Sequence, residues 1–116
     1  MEGNSNEATS AEARKQQKNK LLGKQIINKL KGATYDVMNV MKRKEFTSID
    51  KATQKSITDK KKKLTSYEKK AHRAMQGEDI DCTLDQVGET VKEASHSVGL
   101  VDKLIETQIA LAAMRK

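Results

Sequence analysis

No proline interrupts this chain, and no tryptophan anchors it. Proline cannot continue a helix past its first turn, so its complete absence, with only six glycines in 116 residues, leaves long helices unopposed. Strands want β-branched and aromatic residues bounded by turn signals, and one Phe and two Tyr supply little of that. With 35% hydrophobic against 34% charged residues, any core must be aliphatic and thin. The expectation is an all-α fold, an elongated antiparallel helical hairpin or three-helix bundle.

Cysteine is equally scarce. Cys82 alone allows no intrachain disulfide, which points to a reducing compartment, the cytoplasm or the nucleus. The polar, acidic opening Met-Glu-Gly-Asn-Ser-Asn-Glu does not read as a secretory or transit signal. The longest apolar run, Ile109 to Met114, falls far short of the roughly 18 residues that suggest a membrane span. Any membrane contact is therefore expected to be peripheral.

Acidic residues are thin over more than half of the chain. Residues 14–76 hold 19 of the 23 Lys and Arg but only five acids: Asp36, Glu45, Asp50, Asp59 and Glu68. Residues 77–116 reverse the balance, with four bases against eight acids, and the whole chain carries +7. A field of one sign over that much of a small protein suits a polyanionic partner, either nucleic acid or a peripheral anionic membrane.

Apolar spacing divides the chain into three helices, at about 10–45, 48–76 and 83–115, preceded by a disordered N-terminus over residues 1–9. Thr9 and Glu12 fit a capping box that would open the first helix near Ser10. Ile26, Leu30, Ala33, Val37 and Val40 then form its seam, widened by Leu22, Ile27 and Met41. With that seam inward, Lys20, Lys24, Lys31 and Lys42 lie on the opposite side with Tyr35. Thr47 or Ser48 can cap the second helix, with Asp50 in its first turn. Ile57, Leu64, Tyr67, Ala71 and Ala74 or Met75 form a poorer inward set. Gln76 to Asp81 reads as a linker, and Thr83 with Gln86 as a further capping box.

The third helix has the strictest pattern. Leu84, Val87, Val91, Ala94, Val98, Val101, Ile105, Gln108 and Ala112 alternate steps of three and four, the seam of a coiled coil, with Leu104 and Leu111 broadening it. Gly88 and Gly99 each cost a helix about 1 kcal/mol against Ala, so close approach to another backbone is expected there. Gln108 is the polar residue in the seam, suited to fixing register or lying where the coil frays.

These spacings give two candidate surfaces. The basic one comprises Lys20, Lys24, Lys31, Lys42, Lys60, Lys61, Lys62, Lys63, Lys69, Lys70 and Arg73, able to track phosphates by charge without reading sequence. The run Lys60 to Lys63 points in every direction around a helix and cannot be hidden on one face. The second surface is the seam itself, either intramolecular core or a face offered to a partner helix or to a second copy.

Over Leu84 to Ala112 the third helix also resembles a Q-SNARE helix of the SNAP-25 type. The resemblance is carried by Leu84-Asp85-Gln86-Val87, His96 and Ile105-Glu106-Thr107-Gln108. It implies hydrophobic layers at Val87, Val91, Ala94, Val98, Val101 and Ile105, a polar layer at Gln108, a parallel four-helix bundle with other SNAREs, and a role in membrane fusion.

Catalysis has no foothold. His72, His96 and Cys82 show no metal-ligand spacing, Ser95-His96-Ser97 puts neighbours on different helix faces, and no Gly-rich phosphate loop follows a strand. Neither a cofactor, nor a metal, nor a small-molecule substrate is implied. The expected function is a non-enzymatic coiled-coil interaction protein that associates through its C-terminal helix with itself or a partner helix and offers a basic surface to a polyanion. The alternative is a helical protein that binds the RNA or DNA backbone and dimerises through the same helix.

Overall fold

A computed structural model describes the backbone of residues 2–115 and the side chains of residues 10–115. Helix α1 spans Glu2–Lys42, a 3-10 turn Lys44–Ser48, helix α2 Lys51–Met75 and helix α3 Leu84–Met114. They form an elongated all-α bundle only 19 Å across in either direction. Helices α1 and α2 run antiparallel and share the most extensive contact, and α3 returns alongside both.

One layer of aliphatic side chains fills the bundle. Ile26, Leu30, Ala33, Val37 and Val40 of α1 meet Ile57, Leu64, Ala71 and Ala74 of α2, and Val87, Ala94, Val101 and Ile105 of α3, all buried. The expected flanking residues Leu22, Ile27, Met41 and Tyr67 are partly buried around this layer. Its thinness follows from composition, since few large side chains are on offer and Phe46 is the only buried aromatic.

Two helix starts differ from expectation. Helix α1 begins at Glu2 rather than near Ser10, so Thr9 and Glu12 lie within it and open no helix. Residues 1–9, for which the sequence pointed to disorder, lie outside the described side chains. At α2 the cap is Asp50, not Thr47 or Ser48. Its carboxylate accepts from the Thr53 backbone NH at 2.9 Å and the Thr53 hydroxyl at 2.8 Å. The shift has a packing cause: residues 44–48 wind as a 3-10 turn that turns Phe46 inward, and Ile49 follows it into the bundle end, so regular helix resumes only afterwards. Gln54 secures the turn by donating to the carbonyls of Thr47 and Ile49.

The opposite end follows expectation more closely. Helix α2 stops in a Schellman arrangement, in which Gly77 NH donates to Ala74 and Glu78 NH to Arg73, with Gly77 at φ +94°. Thr83 and Gln86 close both hydrogen bonds of the capping box that starts α3. Asn19 of α1 donates to the Gly77 carbonyl and to Asp79, and Lys15 pairs with Asp79 at 2.9 Å, so the loop is pinned to the first helix.

Candidate interaction surfaces

The basic surface is real in extent but divided in detail. Lys20, Lys24, Lys31 and Lys42 all lie exposed along the outer side of α1, and Tyr35 among them is 67% exposed. Near the start of that face the exposed Leu21 sits among Arg14, Lys18, Lys20 and Lys24. On α2, Lys61, Lys62, Lys63, Lys69 and Arg73 are exposed. Lys60 and Lys70 are not free in the same way. Lys60 turns toward α3 and lies 3.5 Å from Glu93, its side chain only 21% exposed. Lys70 donates to the Asp81 carbonyl at 3.2 Å and stands 5.9 Å over the Tyr67 ring. Four consecutive residues at about 100° each sweep the whole circle, so one lysine of Lys60 to Lys63 must meet a neighbouring helix.

Between α1 and α2 a shallow groove gathers Lys61, Lys62 and Lys69 with the hydroxyls of Thr58, Thr65 and Ser66, over Met41. Ammonium groups and hydroxyls are usual donors to phosphate oxygens; the Thr58 hydroxyl already donates to the Gln54 carbonyl at 2.9 Å, which leaves those of Thr65 and Ser66. The lysines were visible in the sequence. The hydroxyls were not singled out, because their spacing has meaning only once α2 is known to turn this side outward.

On α3 the expected seam becomes core. Val87, Ala94, Val101 and Ile105 are fully buried against α1 and α2, and Leu84, Val91 and Val98 are half-buried at their edges. Of the two readings left open for this seam, the burial of these residues fits the first, intramolecular core. Only the end differs: Ala112 is exposed, and Gln108 donates its amide to the Ser48 carbonyl at 3.2 Å, tying α3 to the turn before α2. Of the residues that carry the Q-SNARE resemblance, Val87 and Ile105 are buried and Leu84 and Gln108 half-buried in the protein's own bundle, whereas Asp85, Gln86, His96, Glu106 and Thr107 are exposed. Thr90 joins them in the core, unnoticed in the sequence because it lies outside the strict spacing.

A second set of apolar side chains remains outside. Leu100 is 49% exposed, Leu104 40%, Leu111 49% and Met114 81%. Leu100, Leu104 and Leu111 directly precede Val101, Ile105 and Ala112, so they lie about 100° around the helix from the buried face. Leu104 and Leu111 therefore do not broaden the seam but belong to a separate stripe. Beyond Gln108 every described residue of α3 is exposed, including Ile109, so the helix outruns its neighbours.

Gly88 and Gly99 give no close backbone approach. A Cβ at Gly88 would meet only the Lys29 ammonium at 3.7 Å, and one at Gly99 nothing within 4 Å. The close approach is at Gly23, where a Cβ would fall 2.5 Å from the Ala71 carbonyl oxygen and 2.9 Å from the Met75 nitrogen.

Reactive groups are dispersed. Cys82 is buried, and burial pushes its thiol pKa up, which keeps it protonated. His72 lies 3.7 Å from Glu68 on its own helix, and His96 is exposed on α3. Among the described residues no cluster of His, Cys, Asp and Glu could hold a metal ion, and no helix is long and apolar enough to cross a membrane. Comparison with protein-family models, with curated proteins and with solved structures returned no match.

Proposed function

We propose that this protein is a non-enzymatic helical interaction protein that binds another helix through the outer stripe of α3 and sets the basic exterior of α1 and α2 against a polyanion. The observation that carries this reading is the exposure of Leu100 and Leu104 on one side of a helix whose other side is buried, continued by the exposed Leu111 and Met114 where the helix outruns its neighbours. A small protein with so thin a core gains nothing internally from four large apolar side chains in water, whereas burial against a partner helix recovers their transfer free energy. Photo-crosslinking tests it. A photoreactive residue at position 111, in the protein's native setting, is expected to attach to a helical protein, either a second copy or another chain. The absence of any protein adduct rejects the reading.

The polyanion half rests on the groove of Lys61, Lys62 and Lys69 with the hydroxyls of Thr65 and Ser66. That combination also favours a second reading, a binder of the RNA or DNA backbone that uses α3 to pair. Phosphate contacts of this kind carry affinity and salt dependence but no sequence information. Both readings place the compartment in the cytoplasm or nucleus, consistent with the single buried thiol.

A further inference from the structure

The outer stripe of α3 has a regular spacing of its own. Ser97, Leu100, Leu104, Thr107, Leu111 and Met114 follow steps of three and four, as the buried seam does, and none is charged. Ser97 is half-buried and the other five are exposed. The helix thus carries two coiled-coil seams, one facing α1 and α2 and the other facing water.

We infer that the second seam is covered by α3 of a second copy of this chain, running antiparallel. The inference rests on the reading of α3 as a helix-binding face and names its occupant. Self-pairing follows from the order of side chains along the stripe. In an antiparallel pair the three-four spacing sets Ser97 against Met114, Leu100 against Leu111 and Leu104 against Thr107 of the second copy, and the two-fold axis repeats each pair. Every position of the stripe then has a partner, and each small residue faces a larger one.

Charge selects the direction. Glu89 and Glu93 precede the stripe and Arg115 follows it. A parallel pair would set acid against acid at one end and Arg115 against Arg115 at the other. The antiparallel pair brings Arg115 of each copy to within a turn of Glu93 of the other, where Glu93 already lies 3.5 Å from Lys60 and Glu89 supplies a second carboxylate one turn away. Lys103, beside the stripe, comes to face Ala110 rather than another cation.

The overhang supplies an independent argument. Past the Gln108 contact with Ser48 every described residue of α3 is exposed, yet the segment Ile109 to Met114 is apolar on every side. A helix that is apolar all round is stable when it is surrounded. In the antiparallel arrangement this overhang lies along the Ser97 to Leu100 turns of the second copy, the described apolar surface that the first chain leaves open at matching spacing.

The test uses the full-length chain. Its mass in solution, measured by light scattering at tens of micromolar, should be twice 13.0 kDa. Leu104→Glu and Leu111→Glu, both at exposed positions, should keep the helical signal unchanged and weaken the dimer on the order of 100-fold, because each would bury an unpaired carboxylate. Direction is read from a spin label at Lys92→Cys in a Cys82→Ser background. Positions 92 of the two copies are offset by about 27 residues in the antiparallel pair, so the labels should stand about 40 Å apart along the axis, and side by side in a parallel one. A monomeric protein, a dimer indifferent to both Leu variants, or labels side by side would each overturn the inference. A monomer that still gives a photo-adduct to a different protein at position 111 would leave the helix-binding function standing, whereas no adduct would remove both.

Discussion

Gly23 of α1 lies directly against the backbone of α2 at Ala71, so near that a single added methyl group would overlap the Ala71 carbonyl oxygen. That contact sets the spacing of the antiparallel helices α1 and α2, and it separates this glycine from Gly32, Gly88 and Gly99. Gly23→Ala gains about 1 kcal/mol of helix propensity but forces two backbones apart, at a cost of about 1–3 kcal/mol for overpacking. The expected net effect is a loss of stability. Gly99→Ala and Gly32→Ala meet nothing within 4 Å and should each add about 1 kcal/mol. Thermal unfolding of the three variants checks the difference in sign.

The cost of a change along the core should follow the burial of the residue changed. Val101 is fully buried, so Val101→Asp places an unpaired charge in the core and should unfold the bundle. Val98 is half-buried at its edge, and Val98→Asp should destabilise it less. Ile57→Ala on α2 should cost about 2–5 kcal/mol, as for any large aliphatic side chain removed from a packed site. Circular dichroism through a denaturant titration ranks the three.

Acid should loosen the bundle at both of its ends. The Lys15 ammonium, aided by Asn19, holds the Asp79 pKa below its ordinary value, and the Thr53 side chain and backbone NH do the same for Asp50. A carboxylate whose folded pKa is depressed contributes stability above its unfolded pKa and loses it as pH falls through the folded value. Stability should therefore hold from neutral pH down to about pH 4 and decline below it. Asp79→Asn should flatten part of that decline. Both groups are exposed and screened, so the effect is a change of slope, measured as midpoint temperature against pH at fixed salt.

Replacing Lys61, Lys62 and Lys69 with Gln tests the basic groove. If all three touch duplex phosphates, the log-log salt slope of binding should flatten by about three units, at roughly 0.9 for each contact. Lys60→Gln should change the slope much less, because that lysine already faces Glu93. Titration of labelled duplex and single-stranded oligonucleotides between 50 and 200 mM salt reads both values. Binding no tighter than millimolar at the low-salt end would remove nucleic acid and leave an anionic membrane or an acidic protein as the polyanion.

Much of this protein is determined by its sequence alone. Absence of proline, abundance of helix formers and the three-four spacing of apolar residues are local properties, and they specify three helices, the inward residues Ile26 to Val40 on α1, and the Thr83 to Gln86 start of α3. The outward placement of Lys20, Lys24, Lys31, Lys42 and Tyr35 follows from the same period, because burying one side of a helix exposes the other.

What only the tertiary structure decided are the matters that depend on which face meets which neighbour. Periodicity shows that α3 has an apolar seam but cannot tell an internal partner from an external one, since both bury the same residues in the same register. Packing against α1 and α2 buried Val87, Ala94, Val101 and Ile105, and so separated Leu100, Leu104 and Leu111 from them as a second stripe. It likewise assigned the close helix approach to Gly23 rather than Gly88 or Gly99, turned Lys60 inward to Glu93, and moved the cap of α2 to Asp50 by drawing Phe46 and Ile49 into the bundle end. Each of these is a distance between residues far apart in the chain, and the period of a helix carries no information about such distances.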